Sequence, residues 1–179
     1  NLELYHSTNV NAVTLLDVID KTLSPMGSRL LKRWLALPLK DTTRIKSRHE
    51  VVDYLKENKE DLQKTQYQIK QISDLERLIS KVATGKISPR EIIYLKDSLD
   101  AIIPIKTLAL ASKNESLKII GDSLHACDLL REKIKSTLNQ DAPVAISKGN
   151  AIATGVNEEL DDLRAISSKG KGFLEDLEQ

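Results

Sequence analysis

The chain of 179 residues carries 27 Lys and Arg against 26 Asp and Glu, so it lacks the basic excess typical of nucleic-acid-binding proteins. Leu and Ile together supply 44 residues, whereas Phe, Trp and Tyr supply only 6, which favours helices and argues against base-stacking platforms. The single Cys excludes an intrachain disulfide, and no apolar run approaches the ~20 residues of a membrane span.

Helical apolar spacing begins near the amino terminus. It predicts one helix within residues 10–23 and a second from Met26 to Leu37. Ser24 is the expected cap of the second helix, and Pro25 suits its first turn. Asp41 can cap a third helix by accepting a backbone N–H bond.

Two capping boxes organise the middle of the chain. Ser73–Glu76 predicts a helix that stops near Gly85, and Ser88–Glu91 predicts the next one. Pro104 removes a backbone donor, so we expect a kink or a break in this second helix. The polar residues 56–70 that precede both boxes give only a weak pattern.

Residues 115–138 carry the cleanest apolar stripe and predict one helix, with Cys127 as a small core residue. Apolar residues then alternate with polar ones on either side of residues 148–150, which predicts a hairpin. The expected fold class is therefore all-α, a multi-helix domain with one short β-hairpin near residues 144–154.

The final segment, residues 157–179, predicts a helix with no stop signal at its end. We expect it to be part of a longer helix that continues beyond this sequence. Its apolar seam has heptad spacing and consists of Leu163, Ile166, Gly170, Phe173 and Leu177.

Catalytic chemistry finds little support. His6, His49 and His125 are scattered, and the sequence contains no zinc-type cysteine pair, phosphate-binding loop or nucleophile elbow. His49 lies on an apolar stripe, which favours a half-buried structural role. We therefore predict no catalytic, cofactor-binding or metal-binding residue, and no enzyme activity in this chain.

Charge is unevenly distributed along the chain. Residues 29–48 hold seven basic residues and one acidic residue, whereas residues 157–179 hold seven acidic residues and three basic ones. A solvated helix face is the favoured interpretation of the basic stretch, but it could also approach phosphates. The possible weak phosphate contacts are Arg29, Arg33, Arg44 and Arg48.

Three strings occur in a fixed order. The first spans Leu15 to Asp41 and includes Ser24-Pro25-Met26-Gly27-Ser28-Arg29-Leu30-Leu31, Trp34 and Pro38-Leu39. The second joins Asp74-Leu75-Glu76-Arg77-Leu78 to Gly85 and Ser88-Pro89-Arg90, and the third spans Gly155 to Arg164. Together with the strand-like start Asn1-Leu2-Glu3-Leu4, they resemble the MutS family of DNA mismatch-recognition ATPases.

The resemblance implies a core, or lever, domain. Residues 1–156 would form its first part, and residues 157–179 would begin the long lever helix that leads to the DNA clamp. The implied function is mechanical, coupling the ATPase state to clamp closure around mismatched DNA. The residues expected to matter are structural ones at helix junctions, namely Ser24, Pro25, Met26, Gly27, Trp34, Ser88 and Pro89.

Other family features are absent from this sequence. The string Phe173-Leu174-Glu175 lies in the final predicted helix and is not the Phe-x-Glu wedge that enters the mismatch in the family. The Walker A loop is absent, and Val156 stands where the family often has an aromatic residue. The resemblance thus implies no cofactor in this chain, with ATP and Mg bound in the ATPase domain of a full-length parent.

The implied partners are mismatched duplex DNA through the full-length protein, a second subunit in a homodimer and a MutL-type protein, with no membrane. The implied location is the bacterial cytoplasm, in association with the nucleoid. Alternatives are a helical protein-interaction scaffold, a nucleic-acid-binding module built on residues 29–48, and a MutS-like protein acting on recombination intermediates.

Overall fold

The computed structural model describes residues 4–5, 8–9 and 11–177, with side chains as far as residue 169. The described part is helical, and its α-helices are α1 Leu15–Ile19, α2 Pro25–Ala36, α3 Thr42–Glu57, α4 Lys59–Gln71, α5 Leu75–Ala83, α6 Pro89–Ala111, α7 Glu115–Ser123, α8 Asp128–Thr137 and α9 Glu158–Leu177. The strand-like start expected over Asn1-Leu2-Glu3-Leu4 lies outside the described residues except for Leu4.

Helix α6 is the central element, because α4, α5, α7 and α8 all pack against it. Helix α3 packs against α4 and α7 on the outside of this group. Two small apolar clusters fill the interior around α6. One contains Leu78, Leu95 and Leu99, and the other contains Ile93, Ile134 and Ala142.

The predicted caps are largely confirmed. Ser24 accepts a hydrogen bond from the backbone N–H of Gly27 at 3.1 Å, and Asp41 caps α3 in the same manner. Ser88 and Glu91 form the complete capping box that opens α6. The cap of α5 is Asp74 rather than Ser73, because the Asp74 carboxylate accepts the backbone N–H of Arg77.

Helix α1 is much shorter than the predicted helix within residues 10–23. Thr14 and Asp17 form a capping box that fixes its start. At its other end, the carboxylate of Asp20 accepts hydrogen bonds from Thr22 and Ser28, and these bonds direct the chain into α2. Polar side chains at both ends therefore limit α1 to five residues.

The single helix predicted over residues 115–138 is wrong, because two helices occupy this range. Helix α7 ends at Ser123, and Leu124 is extended. Cys127 then has a left-handed backbone with φ of 51° and is exposed, so its predicted core position is wrong too. His49 is likewise exposed rather than half-buried.

The β-hairpin predicted near residues 144–154 is not found in the described part of the chain. Residues 146–148 instead form a single 3-10 turn, and one isolated antiparallel bridge joins Leu138 to Ile152. Val144 and Ile146 are exposed, so the apolar alternation that favoured a strand has no buried face to pair with.

Two further outcomes concern long helices. Helix α6 continues through Pro104 to Ala111, which excludes the break expected there. Residues 56–70, which gave a weak pattern, belong mostly to α4. Within the described ranges, no helix is both long enough and apolar enough to cross a membrane.

Candidate mechanical junctions

Arg29 joins α2 to the start of α5. Its guanidinium donates to both carboxylate oxygens of Asp74, at 2.9 and 2.7 Å, and to Glu76 at 2.7 Å. Asp74 also caps α5 through the N–H of Arg77. Two-pronged contacts of this kind fix orientation as well as distance. The same contacts lower the pKa of Asp74, chiefly because the Arg29 guanidinium stabilises its charged form.

The turn into α2 leaves little space around Gly27. A Cβ at this position would lie 3.1 Å from the Ser24 hydroxyl oxygen and 3.3 Å from the Cβ of Thr22. Because the Ser24 hydroxyl is also the helix cap, a side chain here would press on the cap itself. The sequence Ser24-Pro25-Met26-Gly27 is therefore a compact start for α2.

Trp34 joins α2 to α3. The guanidinium carbon of Arg48 lies 3.6 Å from the centroid of the Trp34 ring, which is a stacked cation–π contact. Both side chains stay partly accessible, and Trp34 is 41% exposed. This contact thus lies on the surface of the domain rather than in a core.

The start of α6 is held from two sides. Lys81 at the end of α5 forms an ion pair with Glu91, which is also part of the Ser88 capping box. The pKa of Glu91 is lowered to about 2. The bond from Lys81 is the largest cause, and the hydrogen bond from the backbone N–H of Ser88 is the second. On the other side, Arg90 donates to the carbonyl of Ala142 at 2.5 Å.

The start of α9 is anchored to the loop that precedes it. Arg164 and Asn139 both donate to the carbonyl oxygen of Ile152, each at 2.9 Å. Arg164 also pairs with Asp161 at 3.0 Å, and Asp161 accepts the N–H of Gly155 at 2.6 Å. The first turns of α9 therefore have a defined direction relative to the end of α8.

These contacts form a continuous polar path from α2 to α9. It runs from Arg29 to α5, from Lys81 to Glu91 in α6, and from Arg90 to Ala142. The N–H of Ala142 then binds the carbonyl of Asn139, whose side chain meets Arg164 at Ile152. We call this set of contacts the junction path.

The four predicted phosphate contacts occupy different environments. Arg29 is engaged with Asp74 and Glu76, and Arg48 is stacked on Trp34. Arg44 faces Asp41 at the longer distance of 3.6 Å, and Arg33 is exposed. A phosphate role for these residues remains a prediction.

Sequence reasoning missed the roles of Arg90, Asn139 and Arg164. Each binds a backbone carbonyl in or beside the loop between α8 and α9, and no local spacing marks such a bond. Only their position in the sequence could have indicated these roles, because Arg90 and Arg164 both lie within one or two turns of a predicted helix start.

The fold and its junctions define an all-helical structural domain, in which charged side chains fix the angles between helices. A family model described as MutS domain III matches residues 1–179. The chain therefore belongs to the MutS domain III family, as the three sequence strings indicated.

Relatives named DNA mismatch repair protein MutS align over all 179 residues. The protein from Flavobacterium johnsoniae is 81% identical, and that from Flavobacterium psychrophilum is 76% identical. A more distant relative from Bacteroides thetaiotaomicron is 48% identical. In each case the match covers 100% of this chain and 21% of the relative, so the chain spans about a fifth of their length.

Proposed function

We propose that this chain is the mechanical core of a MutS-type mismatch repair protein. In this role residues 1–156 form the first part of the core, and residues 157–179 begin the lever helix that leads to the clamp. The domain transmits the state of a separate ATPase domain to a clamp that closes on mismatched DNA. The junction path carries the proposal, because it links the first helices of the domain to the start of α9.

Polar contacts such as those of the junction path are suited to transmitting a change in helix orientation from one part of the domain to another. A coupling between distant sites needs packed elements that move together, and a polar contact at a helix end constrains angle more than an apolar contact does. Arg164 is the last member of the junction path and the one closest to the proposed lever. Its contacts with Ile152 and Asp161 set the direction in which α9 leaves the core.

Membership of the MutS domain III family supports the setting that we propose for this chain. ATP and Mg are bound in a different domain of the full-length protein, so no residue of this chain holds a cofactor. The full-length protein acts on mismatched duplex DNA as a homodimer, together with a MutL-type partner, in the bacterial cytoplasm and near the nucleoid. Any phosphate contact made by Arg33, Arg44 or Arg48 is an auxiliary one.

The test is an uncoupling experiment in the full-length protein. Arg164→Ala should leave ATP hydrolysis and mismatch binding each within about twofold of wild type, since the residue touches neither site. It should slow the ATP-dependent release of mismatched DNA by about tenfold. Release rates can be measured by fluorescence anisotropy of a labelled duplex with a single mismatch.

Lys64→Ala is the matched control, because Lys64 pairs with Glu60 on the surface of α4, away from the junction path. It should leave release unchanged. If Arg164→Ala also leaves release unchanged, the mechanical role of the junction path is refuted. If wild type binds four-way junctions better than mismatches, the parent belongs to a branch that acts on recombination intermediates.

A further inference from the structure

The connection between α7 and α8 lies beside Pro104 in α6. Lys106, two residues after the proline, donates to the carbonyl of Leu124 at the end of α7, at 2.8 Å. Asp100, one turn before the proline, accepts a hydrogen bond from Arg131 in α8 at 2.6 Å. The connection is therefore anchored to α6 on both sides of the proline. The weakened turn of α6 and the break between α7 and α8 thus lie at the same level of the domain.

Helices α7 and α8 pack on different parts of α6. Helix α7 packs on the part after the proline, where Gly121 faces the methyl group of Ala109. Helix α8 packs on the part before the proline, where Ile134 and Ile93 belong to one buried cluster. Each part of α6 therefore has its own partner helix, so a bend at the proline would separate neither pair.

The neighbouring helices divide in the same way. Helix α3 is bound to α7, because the Ser47 hydroxyl donates to the Ser116 hydroxyl at 2.8 Å. Helix α5 packs on the part of α6 before the proline, through the first of the two apolar clusters. We call α5, α8 and residues 89–103 the large body, and α3, α7 and residues 105–111 the small body. Helix α2 crosses between them and meets α3 in the surface cation–π contact described above.

Helix α4 also crosses from one body to the other, and it is held at its two ends. The Tyr54 hydroxyl in α3 donates to Asp61 in the first turn of α4 at 3.0 Å. Just beyond the other end, the N–H of Ser73 donates to Ser98 in α6 at 2.9 Å. Between these points lies a cavity of about 700 Å³, where the Thr65 hydroxyl is buried without a hydrogen-bond partner among the described residues. This incompletely packed interface leaves room for α6 to change its angle.

We propose that Pro104 and the α7–α8 connection together form one hinge, about which the small body rotates against the large body. Pro104 supplies the weak point in α6, since it has no N–H to donate to the preceding turn. The extended Leu124 and the left-handed Cys127 supply the matching interruption. A continuous helix packed along α6 would oppose a bend, so the two interruptions work as a pair. Lys106 and Arg131 keep them at the same level.

This hinge goes beyond the mechanical function and stands without it, because its test uses neither DNA nor nucleotide. The measurement is hydrogen–deuterium exchange of the full-length protein, followed by mass spectrometry. Residues 105–108, the α6 segment, and residues 121–124, the α7 segment, should exchange together and faster than residues 92–98, the reference segment. Pro104→Ala restores the missing N–H and should slow exchange in both segments by about threefold or more. Slower exchange in the α6 segment alone overturns the proposal.

Lys106→Met then tests the anchor, since it removes the donor and keeps an aliphatic side chain. In this background Pro104→Ala should slow the α6 segment and leave the α7 segment unchanged. Lys118→Met is the matched control, because Lys118 pairs with Glu115 within α7, and here Pro104→Ala should still slow both segments. If Lys106→Met loses protection in the reference segment, it has unfolded, and Pro104→Ala in the wild-type background decides the proposal. A folded Lys106→Met protein that keeps the link overturns the anchoring role.

Discussion

Ser98 is a fully buried polar residue at the centre of α6. Its hydroxyl accepts the backbone N–H of Ser73 at 2.9 Å and donates to the carbonyl of Tyr94 at 2.6 Å. The first bond ties the α4–α5 connection to α6. A single hydroxyl thus joins the segment before α5 to the central helix.

Ser98→Ala should lower the free energy of unfolding by about 1 kcal/mol, because the partly buried N–H of Ser73 would lose its acceptor. Urea unfolding followed by circular dichroism measures this change. Ser80→Ala is the matched control, since the exposed Ser80 hydroxyl also bonds the carbonyl four residues earlier. An equal effect of both substitutions would contradict the role assigned to the Ser73 bond.

Glu91 predicts a specific dependence of stability on pH. Its folded-state pKa of about 2 lies below the ordinary value of 4.5, first because Lys81 binds the carboxylate and next because the N–H of Ser88 does. A carboxylate whose pKa is lower in the folded state than in the unfolded state stabilises the fold at pH values above its unfolded-state pKa. This contribution should therefore be complete above about pH 4.5 and should disappear as the pH falls toward 2.

Glu91→Gln should remove this part of the pH dependence. The difference in unfolding midpoint between wild type and variant should be largest near neutral pH and should shrink steadily below pH 4.5, reaching its minimum near pH 2. Thermal unfolding at a series of pH values measures it. A difference that stays constant from neutral to acid pH would show that the ion pair with Lys81 does not shift the carboxylate.

The packing of α7 on α6 depends on Gly121. A Cβ at this position would lie 2.8 Å from the Cβ of Ala109 and 3.3 Å from the backbone nitrogen of Leu110. Gly121 and Ala109 are both buried, so the two helix backbones approach closely here. This contact involves neither Cys127 nor the apolar side chains that make up the stripe over residues 115–138.

Gly121→Ala should destabilise the domain although Ala favours helices by about 1 kcal/mol, because overpacking costs about 1–3 kcal/mol. Ala109→Gly removes the facing methyl group. The double variant should therefore be more stable than the sum of the two single changes predicts. Strict additivity in chemical unfolding would mean that the helices separate without cost at this point.

Local signals explain which elements the sequence predicts well. The starts of α2, α3 and α6 are set by caps within three residues of the helix, so Ser24, Asp41 and Ser88 are recognisable without tertiary information. The end of α5 is also recognisable from the local sequence, because Gly85, which follows the helix, adopts a positive φ of 65° that favours glycine.

The failures have tertiary causes. The break between α7 and α8 contains neither Gly nor Pro, and the apolar stripe passes straight through it. Its stabilising contact is remote, because Lys106 in α6 donates to the free carbonyl of Leu124 at 2.8 Å. The partners of Arg29 at positions 74 and 76 are equally invisible in local sequence, which is why a phosphate contact was an open interpretation.

At the scale of the whole molecule, many charged side chains form ion pairs with one another, and no large excess of positive charge remains to attract DNA. The isolated chain should bind duplex DNA weakly and with the same affinity for matched and mismatched sequences, since its net charge is +1 and phosphate contacts carry no information about base pairing. Gel-shift titration at physiological salt compares the two duplexes. A preference of about tenfold for the mismatch would contradict a purely mechanical domain.

Pro104 divides α6 unequally. As the missing N–H weakens one rung of the helix, a bend is easiest there, with about 22 Å of helix on the Pro89 side and about 10 Å on the Ala111 side. A bend of about 10° would move the Pro89 end by about 4 Å if the Ala111 end is held, but would move the Ala111 end by only about 2 Å if the Pro89 end is held. The same change in angle therefore displaces Arg90 about twice as far as it displaces the end of α6 that packs against α7.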